Sequence, residues 1–512
     1  ILMLSKIKSF GLVGIDGYPI DCEVDLSNGL PAYDVVGLPD ASIKEGKDRI
    51  RSAIKNSGLE YPIYKITVNL APADTKKEGS IYDLPIAVGL LSATNQIPIV
   101  STNGFVILGE LSLNGDVRKI NGILPMLISA RENGYKKVII PYQNTREASF
   151  IEGLETYGVS TLNDVVQFFK GTKTIKPVEI SKYEEIKRQE IASNDFCYIK
   201  GQKTAKRALE IAAAGGHNMI MLGPPGSGKT MLAKAFPSIL PDLTFEEALE
   251  VTKIHSVAGT LDSKKGIVLT RPFRSPHHTT TMVTMIGGNR NSRPGEVSLA
   301  HNGVLFLDEL PEYPRNLIEA LRQPLEDKVI TVSRIAQTVQ YPADFTLISS
   351  MNPCPCGYYG SKLHECKCTM AQIHSYLNKL SGPLMDRIDL QIEVDAITYD
   401  DLKSESQEES SKTIKERVTK ARQIQTKRFA GTGIHNNAGM NSAMVKKFCK
   451  LDAKCENVLE SAFQKLKLTA RAHDRILKVA RTIADLDGSE NIEMCHLVEA
   501  INYRSLDRKY WL

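Results

Sequence analysis

No run in this chain approaches the roughly 18 consecutive apolar residues that span a bilayer, so no transmembrane helix is expected. No repeat of solenoid period is visible, which excludes a stacked-repeat architecture. There is little excess charge: a balance of +5 permits nucleic-acid binding but does not argue for it alone. Near the start, Lys6, Lys8 and Asp16 interrupt any apolar core, so a signal peptide is not expected, and Ile1-Leu2 precede Met3, which is read as the natural start. The expectation is a cytosolic protein whose 9 Cys are reduced or metal-bound rather than paired. What remains is an ordinary globular composition, 42% hydrophobic and 24% charged. Its 512 residues leave room for about three or four domains.

The most informative segment that is present reads Gly223-Pro224-Pro225-Gly226-Ser227-Gly228-Lys229-Thr230. The apolar run Met219–Leu222 before it predicts a buried strand, and Met231–Ala235 after it predicts a helix. That strand–loop–helix setting is what a phosphate-binding loop requires. The glycines let the backbone wrap so that its N–H groups face phosphate oxygens, and the following helix adds the positive end of its dipole. Lys229 is expected on the β- and γ-phosphates of ATP and Thr230 on Mg²⁺.

A second apolar strand, Val304–Leu307, ends in Asp308-Glu309. Asp308 is placed to hold Mg²⁺ and Glu309 to orient and polarise the attacking water. A third, Phe345–Met351, ends at Asn352, whose side chain could bond the same water or the γ-phosphate. Ligands of open α/β sheets bind outside the carboxyl ends of the strands, where all three motifs fall.

This pattern resembles the AAA+ ATPases, within them the branch that contains magnesium chelatase and MCM-type helicases. The resemblance implies that Asn352 is the first sensor and that Arg387, in Leu384-Met385-Asp386-Arg387-Ile388-Asp389, is an arginine finger reaching a neighbouring subunit. It implies Arg471 as the second sensor on a helical lid, with Arg475 as the alternative. A finger supplied in trans implies a ring, and the family implies a hexamer. The alternating segments Lys328–Arg334 and Ile335–Tyr341 predict a β-hairpin, which looks like the pore-lining hairpin of this branch. Arg334 and Lys328 there, and Arg274 in a second insert at about 253–299, are the expected DNA contacts, with solvated loop charge as the alternative.

Cys354-Pro355-Cys356 and Cys366-Lys367-Cys368 offer four thiolates in two close pairs, a donor set for tetrahedral Zn²⁺. Free thiols and disulfides are the alternatives, and His364 and His374 are possible substitute ligands.

Residues 3–170 alternate strand and helix patterns and predict an α+β domain. The segment Gly115–Asn144 resembles the proteolytic domain of Lon protease, but Leu124 stands at the position of the Lys base, and Ser80 is out of register with the nucleophile. Without a base a serine hydroxyl is a poor nucleophile, so a non-proteolytic domain is expected. Residues 171–195 read as a linker, 196–395 as the ATPase core with its inserts, and 396–512 as a helical lid with a mobile acidic loop near 401–411.

In this order the pieces resemble the ComM/YifB-type magnesium-chelatase-like family, most specifically at Ile211–Asn218 and at Asn352-Pro353-Cys354-Pro355-Cys356-Gly357. The resemblance implies a cytoplasmic bacterial hexamer that binds single-stranded and branched DNA and drives branch migration in natural transformation. The alternatives are the motor subunit of a magnesium chelatase, an ATP-dependent protease and a non-enzymatic ATP-binding scaffold.

Overall fold

The structure is a computed structural model describing residues 4–187, 194–288, 293–333, 338–361, 364–396, 408–466, 469–506 and 510. Its N-terminal part is a seven-stranded mixed sheet, ordered β3-β4-β2-β1-β5-β8-β9. The strands are β1 (Leu4–Val13), β2 (Asp16–Ser27), β3 (Ala32–Val36), β4 (Lys65–Ala71), β5 (Phe105–Ile107), β8 (Lys137–Pro141) and β9 (Glu155–Val159). A small pair, β6 (Glu110–Leu111) and β7 (Val117–Arg118), lies between them in sequence. Helix Ala41–Asn56 starts where the Asp40 side chain accepts from the Ile43 N–H, and it buries Ile43, Ile50, Ala53 and Ile54 at helical spacing. Helix Asp83–Ala93 is buried along its whole length, which explains why its sequence is apolar all round.

The second sheet has the order β11-β12-β15-β10-β16, all parallel. These are β10 (Met219–Leu222), β11 (Phe273–Arg274), β12 (Val304–Leu307), β15 (Thr346–Met351) and β16 (Leu390–Glu393). Both β10 and β12 are four buried apolar residues, the pattern of central parallel strands covered on two faces. The expected hairpin is present as β13 (Val329–Ser333) and β14 (Thr338–Pro342), antiparallel from Val329↔Pro342 to Ser333↔Thr338. It leans on the β1–β2 turn: a Cβ added at Gly14 would lie 2.4 Å from Val339.

The two sheets are joined through helix Phe245–Ala258, against which helix Ile123–Glu132 packs. Gly122 donates its N–H to the Ser256 carbonyl at 3.0 Å, and the Ser256 hydroxyl donates to buried Glu147 at 2.7 Å. Burial pushes the Glu147 carboxyl up to about 7, against the hydrogen bonds from Ser256 and Asn144. Within the 171–195 stretch, helix Tyr183–Lys187 docks by a Tyr183 hydroxyl bond to the Leu243 carbonyl.

The C-terminal part is helical: Ser411–Arg428, Ser442–Phe448, Ala453–Leu466, Ala470–Leu486 and Met494–Asn502. Arg428 binds buried Asp485, which also accepts from Asn437 and Arg481. Of the acidic stretch near 401–411, residues 401–407 lie outside the described residues. Glu408 accepts from the Gly201 N–H and Lys206, and Ser411 ties to Phe196.

Candidate active site

The parallel registers bring the three motif-bearing strand ends to one rim. Leu222 is level with Met351, and Leu307 with Ser349. The phosphate loop leaves β10 here. Gly223 is pressed against the end of β16, where an added Cβ would lie 2.3 Å from the Val394 carbonyl. Gly226 and Gly228 take positive φ, 77° and 87°, as the wrap demands. Helix Lys229–Ala235 begins directly behind.

Lys229 is buried, and its ammonium donates to the carbonyls of Gly223 at 2.7 Å and Pro224 at 2.9 Å. Burial pulls its pKa down to about 8, against the charges of Asp308 and Glu309. Its Nζ also reaches Asn352 Oδ1 at 3.4 Å. The Thr230 hydroxyl donates to Asp308 Oδ2 at 2.8 Å, and the Ser350 hydroxyl donates to the other Asp308 oxygen. Glu309 adopts a left-handed backbone, φ 54°, and its N–H donates to Ser350 Oγ at 3.3 Å. Lys229, Thr230, Asp308 and Asn352 are thus brought together, with Glu309 beside them. Ser350 was not anticipated, yet the signal was there: it precedes Asn352 by two and shares its face at the end of a strand.

The candidate arginine finger and the candidate second sensor lie near one another. Arg387 is nearly buried, donating to the Pro383 carbonyl at 2.6 Å and to Glu326. Arg471 is exposed, 3.8 Å from Asp386. The Arg387 guanidinium foremost, with Arg471 adding to it, holds the Glu326 carboxyl below its ordinary range. Arg475, the alternative second sensor, is bonded instead to buried Asp389.

That carboxylate belongs to a network no motif announced. His217 Nδ1 lies 3.0 Å from Asp389 and its Nε2 lies 2.8 Å from the Thr482 hydroxyl. The start of β10, the Arg387 loop and the lid helix Ala470–Leu486 meet at these three side chains.

Of the expected DNA contacts, Arg274 forms a two-pronged ion pair with Glu296 and Lys328 pairs with Asp344 at 2.9 Å. Arg334 lies outside the described residues.

Cys354, Cys356, Cys366 and Cys368 have their sulfurs within 4.8 Å of one another. The backbone N–H groups of Tyr358 and Lys367 bring the Cys356 thiol down to about 6, against desolvation. The knuckle abuts the phosphate loop: a Cβ on Gly357 would lie 2.6 Å from Pro225. In the N-terminal part, Ser80 donates to Glu110, and Leu124 is packed in the core.

Comparison with known proteins sets this geometry in a family. Competence protein ComM of Haemophilus influenzae is 44% identical over 99% of this chain and 98% of its own length. The chain belongs to the ComM/YifB-type magnesium-chelatase-like AAA+ family. YifB of Escherichia coli (strain K12) is 43% identical over 99% of this chain and 98% of its own length. "Magnesium chelatase, subunit ChlI" matches residues 195–402, "Subunit ChlI of Mg-chelatase" 22–144, and "Magnesium chelatase, subunit ChlI C-terminal" 408–504. Lon protease 2 of Bacillus subtilis is 33% identical over 124 residues, 24% of this chain and 22% of its own, so the Lon-like reading of the N-terminal part holds. The family implies ATP and Mg²⁺, and the fold is mixed α/β as expected. No helix among the described residues is long and apolar enough to cross a membrane.

Proposed function

We propose that the protein is a ring-forming, ATP-hydrolysing DNA motor of the bacterial cytoplasm, a hexamer that drives branch migration of recombination intermediates in natural transformation. The observation that carries this reading is the convergence of Lys229, Thr230, Asp308 and Asn352 on one sheet rim in a chain similar along its length to a competence protein. The loop Gly223–Thr230 wraps the ATP phosphates. Thr230 and Asp308 hold Mg²⁺, which when bound takes up phosphate charge. Glu309 orients the attacking water, and Asn352 bonds that water or the γ-phosphate. Arg387 serves the site of a neighbouring copy as its arginine finger, and Arg471 acts as the second sensor. The Ser80–Glu110 pairing, with Leu124 in the core, supports a non-proteolytic Lon-like domain. The test is ATP-dependent conversion of a labelled branched DNA junction. Wild type is expected to convert it, and Glu309→Gln to bind ATP yet lose turnover by about 10²–10⁴-fold, the usual weight of a general base. Vigorous ATPase without junction movement would overturn the motor reading.

The three family descriptions favour a second reading, the motor subunit of a magnesium-chelatase-like complex. ATPase that responds to a porphyrin and not to DNA would select it.

The four thiols fit a structural Zn²⁺, held by Cys354, Cys356, Cys366 and Cys368. Elemental analysis of protein purified without chelators is expected to give about one zinc per chain. A Cys354→Ser, Cys366→Ser variant should lose it, and zinc-free wild type would remove the assignment.

A further inference from the structure

The cations expected to meet DNA in the ATPase inserts are largely committed. Arg274 is held by Glu296, Lys328 by Asp344 and Arg271 by Glu247. Charge is distributed unevenly along the chain. Residues 411–512 carry 20 Lys and Arg against 11 Asp and Glu, a net +9, whereas the chain as a whole is +5 and the remainder therefore −4. The acids of the lid are partly consumed inside it: Asp485 is buried between Arg428 and Arg481, and Asp487 faces His496.

The largest share of the lid's positive charge, a net +6, lies on helix Ser411–Arg428, where Lys415, Arg417 and Arg428 are paired with Asp242, Glu210 and Asp485; residues 442–466 carry 5 Lys against 3 Asp and Glu. Helix Ser442–Phe448 buries Val445 and exposes Lys446 and Lys447, and exposed Lys450 follows it. Helix Ala453–Leu466 buries Cys455 and Leu459 and rests Phe463 on the core. At about 100° per residue, Lys454 and Lys465 then fall on one flank of that helix and Glu456 and Glu460 on the other. The helix is charge-segregated. Among the described residues no carboxylate lies within 4 Å of the ammonium of Lys446, Lys447, Lys450, Lys454 or Lys465. Lys447 rests over the Phe448 ring at 5.0 Å. Four of these ammonium groups stand on two consecutive helices and Lys450 between them; together they suit a repeating anion, and the simplest such partner to recognise without sequence reading is a phosphodiester backbone.

We propose that the lysine surface of helices Ser442–Phe448 and Ala453–Leu466 is a sequence-independent contact for nucleic-acid phosphates. It rests on the DNA-motor reading above and adds to it a second, lid-borne holding surface distinct from the inserts. Each phosphate contact on a single strand releases counterions and contributes about 0.7 to the salt slope of binding.

The experiment is fluorescence anisotropy of a labelled single-stranded oligonucleotide with full-length protein across a salt series. Basal ATPase and the melting temperature are recorded for each variant. The triple variant Lys446→Gln, Lys447→Gln, Lys450→Gln is expected to flatten the slope by about 2 and weaken binding about a hundredfold near 0.1 M salt. Basal ATPase and melting temperature should stay at wild-type values. Should the triple variant melt early, the pair Lys454→Gln, Lys465→Gln carries the test, with a slope change of about 1.4. The opposite-flank pair Glu456→Gln, Glu460→Gln should not flatten the slope. Unchanged affinity and slope in the lysine variants, beside a wild type that binds, overturns the lid surface and leaves the motor reading intact. A wild type that binds no oligonucleotide overturns both. Loss of the ring by sedimentation in the lysine variants, without a change of slope, would make the surface a subunit contact and overturn the proposal.

Discussion

Lys229→Met is expected to abolish ATP turnover and, at neutral pH, to raise the melting temperature of the nucleotide-free protein. Without nucleotide the ammonium is a buried cation whose close partners among the described residues are two carbonyls and two side-chain oxygens. Its descent from 10.5 to about 8 means that keeping it charged costs about 3 kcal/mol. Loss of the two carbonyl bonds returns about 1 kcal/mol each. The net gain is about 1 kcal/mol, or about 2–4 °C for a domain of this size. The sign with pH follows. Below pH 8 folded and unfolded forms are both protonated and the cost is present in full. Between 8 and 10.5 the folded group sheds its proton first, so wild-type stability climbs with pH there. The methionine variant should lack that climb. With ATP present the balance reverses, because phosphate oxygens supply the missing counter-charge. Their loss should weaken ATP by about 10²–10³-fold, as when one partner of a buried charge pair is removed. Titration calorimetry and melts with and without ATP read both effects. A variant that melts below wild type at pH 7, or still binds ATP as tightly, contradicts the account.

The phosphate loop, the two flanking strands and Asn352 were legible because each is a contiguous word whose chemistry and setting lie within a dozen residues. The hairpin was legible from alternation alone, since β13 and β14 are neighbours in sequence and need no distant partner. Long-range pairing was not legible. His217 meets a carboxylate 172 residues away and a hydroxyl 265 residues away, and no local pattern encodes either. The same limit explains Arg274 and Lys328: both read as free cations, and both are claimed by acids that only the folded loops bring near. Arg387 and Arg471 could be named from their motifs, but their closeness around Glu326 and Asp386 appears only once the C-terminal helices are packed on the core. The lysine surface of the lid was in plain view as composition, yet its meaning depends on which lysines lack partners, a property of the fold.

Asp389→Ala is expected to destabilise the protein by about 1–3 kcal/mol, the cost of leaving the donors around a buried carboxylate without their acceptor. The carboxylate is 3% exposed and serves both His217 and Arg475, so one truncation leaves two donors without an acceptor in a dry site. Burial by itself pushes Asp389 up, but the Arg475 charge and the His217 hydrogen bond override it and hold the carboxyl far below its ordinary range. Stability from this group is therefore present above the unfolded value near 3.9 and is lost as pH falls below it. The variant should lack that part of the acid limb. The effect should not stop at stability. Asp389 donates its N–H to the Asn218 carbonyl at 2.9 Å, and the Asn218 side chain donates to the Arg387 carbonyl at 3.0 Å. The loop that carries Arg387 is thus anchored to the start of β10 on one side and to the lid helix on the other. Loosening that anchor should reduce ATPase of the assembled ring more than ATP binding by a single chain. Asp389→Asn, which keeps the shape and one acceptor, should fall between. Melts across pH, with ATPase and nucleotide binding measured side by side, provide the check. An alanine variant as stable as wild type would mean that the lid is held by its apolar contacts alone and that this network is incidental.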